Sequence, residues 1–195
     1  GSGPHVLGHA HPAVLDAMAR AAAGGTSHLV LTASAVELAQ ALCETVPCAE
    51  KVSFHSTGSE ATFFALRLAR AATGRDKVLK FEGAFHGMHD YAMVSTQWNW
   101  DPPPFPQAAA DTGGIPAAVV PEVLVAPFND LATVEAIIAE HRDELAAVIV
   151  EPMQRTFVPA AGFLEGLRRI TRDAGIVLVF DEVVTGFRVA LGGAQ

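Results

Sequence analysis

Apolar and polar positions follow two alternating rhythms along the chain, one helical and one strand-like. Residues 12–23 read as a helix, with Pro12 in its first turn and Gly24-Gly25 as its stop. Ser34-Ala35-Val36-Glu37 has capping-box spacing and predicts a helix to about Val46. Lys51–His55 reads as a short strand. Gly58 to Thr73 reads as a helix closed by Gly74, with Phe63, Leu66, Leu68 and Ala69 on helical spacing. Val78–Phe81 is the next strand. From Trp98 to Pro121 the rhythm breaks: Pro102, Pro103, Pro104, Pro106 and Gly113-Gly114 predict a long loop over the surface. Val123–Ala126 then reads as a strand, and Asp130 caps a helix to about His141. Ala147–Glu151 is a buried strand, Gly162–Ala174 a helix ended by Gly175, and Ile176–Phe180 a second buried strand that ends at Asp181.

Helices alternating with continuous apolar strands predict a three-layer α/β/α fold with a mostly parallel sheet. The chain has 195 residues, half of them hydrophobic, enough for one compact core. Its 13 basic and 21 acidic residues give a formal charge of -8, with no basic run, so neither nucleic acid nor an anionic membrane is an expected partner. No apolar run reaches membrane-spanning length, and the opening residues do not read as a secretory signal, so none is expected. Cys43 and Cys48 share one short stretch and read as free thiols of a reducing cytosol rather than a disulfide framework. The chain opens without Met and stops at the loop-like Gly192-Gly193-Ala194-Gln195, and the expectation is an excerpt of a longer protein.

Parallel sheets bind ligands beyond the carboxyl ends of their strands, which narrows the search for chemistry. After Lys51–His55 comes Ser56-Thr57-Gly58-Ser59-Glu60-Ala61, leading into a helix. Unpaired N–H groups and the helix dipole there suit a phosphate, although an ordinary N-cap needs the same residues. The glycine spacing matches neither a Walker loop nor a dinucleotide fingerprint. After Val78–Phe81 comes Glu82-Gly83-Ala84-Phe85-His86-Gly87, where an aromatic ring could lie against a planar ligand or simply pack a turn. After Val150 comes Glu151-Pro152-Met153-Gln154, whose amide could reach a ligand oxygen. Asp181 ends the last strand. A carboxylate at the end of an apolar strand needs a cation or a strong donor, either a protonated ligand nitrogen or an Arg such as Arg188.

In this order these segments resemble the class III aminotransferases, the pyridoxal 5′-phosphate (PLP) enzymes that include glutamate-1-semialdehyde 2,1-aminomutase. The likeness runs through Leu7-Gly8-His9-Ala10-His11-Pro12, Ser56–Ala61 with Arg67-Leu68-Ala69-Arg70, Lys80–Gly87, Gly162-Phe163-Leu164 and Phe180–Gln195, the last being the most diagnostic. It implies that residues 1–195 are a partial PLP-binding large domain, incomplete at both ends. It implies that backbone N–H groups of Gly58 and Ser59 hold the PLP phosphate. Phe85, where many relatives carry Tyr, would stack on one ring face beside His86, and Val183 would pack on the other. Asp181 would pair with the ring nitrogen, and Gln154 would reach the ring hydroxyl. Small-molecule amino donors and acceptors, a homodimer and a cytoplasmic setting follow from the same likeness. In place of the longer stretch after Glu-Pro that is usual in aminomutases stand Gln154-Arg155 and a short loop, and Trp98-Asn99-Trp100 looks individual to this protein.

The family's Schiff-base lysine is expected downstream of Gln195. The lysines present are Lys51, Lys77 and Lys80, the first two at strand starts and the third inside a strand. No catalytic residue is therefore assigned within the chain. Two other readings stand beside this one. One is an inactive paralogue or interaction module. The other is a metal-dependent hydrolase built on His9-Ala10-His11 and His86-Gly87-Met88-His89-Asp90, which lacks a completing Cys or carboxylate cluster; no metal ligand is assigned.

Overall fold

A computed structural model describes residues 4–97 and 101–195, so Trp98-Asn99-Trp100 lie outside the described residues. The chain divides into two compact units, Phe54–Asp181 and a second made of Gly1–Ser53 with Glu182–Gln195.

The first unit holds a four-stranded sheet. Its strands are β1 (Lys77–Phe81), β2 (Val123–Ala126), β3 (Leu145–Val150) and β4 (Val177–Phe180), in the order β2-β1-β3-β4 and all parallel. Every residue of β2 and β3 is buried, which is why these strands read as unbroken apolar runs. Side chains alternate between the two faces. On one face Leu79, Phe81, Val148 and Val150 pack beneath Val134, Ile137, Ile138, Leu167 and Ile170. Those residues belong to the helices of residues 131–140 and 163–174. On the other face Val78, Ala147 and Ile149 pack against Leu66 and Ala69 of the helix Gly58–Thr73. The predicted three layers are therefore present within this unit.

In the second unit the helices are α1 (Pro12–Ala22) and α2 (Ala33–Thr45), neither of which buries a residue within the described chain. The remaining helices are then α3 (Gly58–Thr73), α4 (Leu131–Glu140) and α5 (Phe163–Ala174). Glu182 organises the end of this unit. Its carboxylate accepts from Thr185 Oγ1 at 2.7 Å and from the backbone N–H groups of Ala194 and Gln195 at 2.7 and 3.1 Å.

Several sequence expectations need correction. Lys51–His55 forms no strand: a strand exists only through a ladder partner, which a five-residue β-like pattern cannot supply by itself. The cap of α2 is Thr32, not Ser34; Thr32 is extended and its Oγ1 accepts from Ala35 N–H. On α3 the buried stripe is Thr62, Leu66 and Ala69, whereas Leu68 faces outward. The proline-rich stretch is a loop over its described part but not a detached one. Gln107 bridges β2 at Leu124, Ala110 bridges Val94, and Ser95 N–H donates to Ala109.

Candidate active site

Three features meet at the carboxyl ends of the strands in the first unit. The first is the mouth of α3. Thr57 Oγ1 accepts from Glu60 N–H at 3.1 Å, and Glu60 Oε2 accepts in return from Ser56 and Thr57 N–H at 2.7 and 3.2 Å. This reciprocal capping box satisfies the flanking donors. Ala61 N–H bonds back to the Thr57 carbonyl. The N–H groups of Gly58 and Ser59 remain at the helix mouth without a protein acceptor among the described residues, in the positive field of the helix end.

The second is the segment that follows β1. Gly87, at φ +103°, lies so close to α3 that a Cβ there would come within 2.7 Å of Ser59 Cα. Only glycine fits that contact and that backbone conformation. Next to it, Ser59 Oγ accepts from Met88 N–H at 3.0 Å, and Thr62 Oγ1 donates to the His86 carbonyl at 2.6 Å. The helix mouth and the Phe85–Met88 turn are thus one connected piece. Phe85 presents a partly exposed ring, and its N–H is held by Glu151 Oε1 at 3.0 Å.

The third is a buried pair. His86 Nδ1 donates to Asp181 Oδ2 at 2.8 Å, with both side chains almost fully buried. This bond joins the end of β1 to the end of β4 and sets the direction of the carboxylate. The other ring nitrogen, Nε2, is buried without a partner among the described residues. Gln154 is also buried: its amide nitrogen donates to the Glu82 carbonyl at 2.7 Å, and its Oε1 is left buried and unpartnered. Val183 belongs to the second unit, where it is half exposed and lines a hollow of about 300 Å³ with Glu182, Phe187 and Gly193.

The electrostatics separate the titratable neighbours. Burial, with smaller contributions from His86 and Arg70, pushes the His89 pKa down to about 4, so that imidazole is neutral at physiological pH. Burial raises the Glu82 carboxyl, opposed by a hydrogen bond from Ser95. Burial lowers Lys80 to about 8. Among the described residues no group of three or more His, Cys, Asp and Glu is placed to hold a metal ion. His86 and His89 instead serve Asp181 and Thr62. Cys43 and Cys48 are both unpaired and exposed, and no described helix is long and apolar enough to cross a membrane.

Of the residues expected from sequence, Gly58, Ser59, Phe85, His86, Gln154 and Asp181 come to the strand ends of one unit. Sequence reasoning passed over four residues that hold them: Thr62, Lys80, Glu151 and Arg155. The available signal was a charged residue at a position that periodicity assigns to the core, as with Lys80 between Leu79 and Phe81.

An open helix mouth and a buried His–carboxylate pair at the strand ends of one parallel α/β unit place anion donors and an oriented carboxylate where such sheets take their ligands. The family can be stated: a model described as aminotransferase class-III matches residues 1–193, and the chain belongs to that family. Over 99% of its length the chain is 45% identical to a glutamate-1-semialdehyde 2,1-aminomutase of Methanothermobacter thermautotrophicus, of which it covers 45%. Among solved structures, it is similar to an omega-transaminase from Sphaerobacter thermophilus, with a TM-score of 0.91 and 45% identity over 96% of this chain and 44% of the other. It is also similar to a transaminase with PLP bound, with a TM-score of 0.90 and 36% identity over 99% of this chain and 45% of the other. The chain spans a little under half the length of these relatives.

Proposed function

We propose that these residues form the non-covalent bed of PLP and that the protein carrying them moves amino groups between small molecules. The reaction would be that of an aminotransferase or of an aminomutase of the glutamate-1-semialdehyde type. The observation that carries this reading is the continuous link from the Gly58–Ser59 helix mouth, through Met88 and His86, to Asp181. PLP needs an anion cup at one end and a carboxylate at the other, and its presence in a similar transaminase supports the fit. The buried atoms left unpartnered, His86 Nε2 and Gln154 Oε1, lie on residues of the same strand ends and suit a polar ring more than an apolar ligand.

When bound, PLP supplies an electron sink for charge developing at the substrate's α-carbon. The protein's share is electrostatic and positional. Gly58 and Ser59 N–H groups would bind the phosphate. Asp181 would keep a proton on the ring nitrogen, and His86 would keep Asp181 aimed at it. Phe85 would offer its ring to one face, and Gln154 Oε1 would accept from the ring hydroxyl. A homodimer and small amino donors and acceptors rest on the family likeness as well.

Titration of the intact protein with pyridoxamine 5′-phosphate, which has the same ring and phosphate and forms no bond to lysine, tests the bed directly. One site per chain is expected. Asp181→Ala is expected to lose nearly all amino transfer while keeping some affinity through the phosphate. Absence of binding, or full transfer activity in Asp181→Ala, would overturn the reading. Binding without any amino transfer would favour an inactive paralogue.

A further inference from the structure

The most unusual side chain in the first unit is Lys80, 1% exposed and set in a strand among Val78, Leu79 and Phe81. By strand alternation it shares the face of Val78. Its ammonium donates to three backbone carbonyls, those of Ala84 at 3.0 Å, Ala92 at 3.2 Å and Val94 at 2.5 Å. All three lie in the segment after β1 that carries Phe85 and His86. A second cation holds the same segment from outside: Arg155, exposed and at φ +54°, donates from Nε to the Gly83 carbonyl at 2.8 Å and from a terminal nitrogen to Thr96 O at 2.9 Å. Gln154 takes the Glu82 carbonyl. The carbonyls of residues 82, 83, 84, 92, 94 and 96 are therefore all bound by side chains of β1 or of the turn after β3.

Backbone carbonyls in a turn can be satisfied by water at little expense, whereas burying a lysine to satisfy them is costly. Around Lys80, Asp111, Glu82 and Glu151 favour its charge and Arg155 opposes it, while its own charge helps hold the nearby His89 imidazole neutral. Burial outweighs the acids, yet at a pKa of about 8 the ammonium stays charged at neutral pH and keeps three protons for three carbonyls. A costly charge aimed entirely at one turn points to a need for that turn's shape.

We infer that Lys80 and Arg155 are positioning residues: they clamp the segment of residues 83–96 so that the Phe85 ring and the His86 imidazole are held ready for the cofactor ring. This rests on the PLP reading for its ligand, but the clamp itself is a property of the unliganded protein. The clamp orders the ring-binding turn and leaves the helix mouth of α3 to bind phosphate by itself.

The test uses the intact protein and the variants Lys80→Met and Arg155→Met, the second at an exposed position where folding is not at risk. Amide exchange is followed without ligand, and affinity is measured for pyridoxamine 5′-phosphate and for inorganic phosphate. We expect exchange of the residue 84–96 amides to speed up about tenfold or more, with α4 and α5 unchanged. Pyridoxamine phosphate affinity should fall about tenfold, while inorganic phosphate affinity stays within about twofold of the original. Unchanged exchange in Arg155→Met would overturn the clamp even if Lys80→Met fails to fold. Equal losses for both ligands would also overturn it, since that marks general loosening. If the unaltered protein binds no pyridoxamine phosphate, the PLP reading falls, and the exchange data alone then decide the clamp.

Discussion

Gly87→Ala isolates the contact that joins the α3 mouth to the Phe85–Met88 turn. The added Cβ would stand 2.7 Å from Ser59 Cα, 2.8 Å from Ser59 Oγ and 3.0 Å from Ser59 Cβ. The nearest of these is backbone in the first turn of a helix, so a rotamer change cannot relieve it. Holding an L-residue in the left-handed region costs about 1–2 kcal/mol. Forcing a methyl into a filled site costs about 1–3 kcal/mol more. Moving the turn away instead sacrifices the Ser59–Met88 and Thr62–His86 hydrogen bonds, at roughly 1 kcal/mol each. The first route comes to about 2–5 kcal/mol and the second to at least about 2 kcal/mol, so a loss of about 2 kcal/mol or more is expected. Urea unfolding followed by far-ultraviolet circular dichroism measures it as a lower midpoint. Gly113→Ala is the control, because a Cβ there meets nothing within 4 Å. That control should be neutral or slightly stabilising. A Gly87→Ala midpoint equal to the control's would refute the close contact, and with it the coupling of the two halves of the proposed site.

Two further outcomes follow from the same structure. Thr57→Ala removes one arm of the α3 capping box and should cost about 1 kcal/mol in the same unfolding assay; no change would show that the cap contributes nothing. Lys80 is lowered from 10.5 to about 8 in the folded protein, so between those pH values the unfolded chain binds the extra proton. Stability relative to Lys80→Met should therefore rise as pH climbs through that window, by roughly 3 kcal/mol in total, and a flat or falling difference would contradict the burial of its charge.

The fold was legible where one local rule decided it. The Ser56–Ala61 segment and Gly74 mark the two ends of α3 in the sequence, and the structure has that helix at Gly58–Thr73. The run ending at Val150 announced a buried parallel strand because both faces of such strands are apolar, whereas Val177–Phe180, expected to be buried as well, is only partly so at the edge of the four-stranded sheet. Lys51–His55 misled because strand pairing is a tertiary fact that five alternating residues do not encode. The clearest mark of the candidate site in the sequence was Asp181, a carboxylate closing an apolar strand, whereas Gly58 and Ser59 are residues that any helix mouth favours. His86 was found, but its bond to Asp181 spans 95 residues of sequence and could not be read from spacing. The proposed clamp on residues 83–96 was hidden for a related reason: Lys80 and Arg155 bind backbone carbonyls, and a carbonyl leaves no trace in residue identity.

The central claim is that this chain carries a bed for PLP anchored at both ends. Calorimetric titration of the intact protein with pyridoxamine 5′-phosphate, compared with Asp181→Asn, tests it most directly. The account predicts one site per chain and an affinity at least about tenfold weaker in the variant, with inorganic phosphate binding unchanged. No binding, or binding indifferent to Asp181, would contradict it.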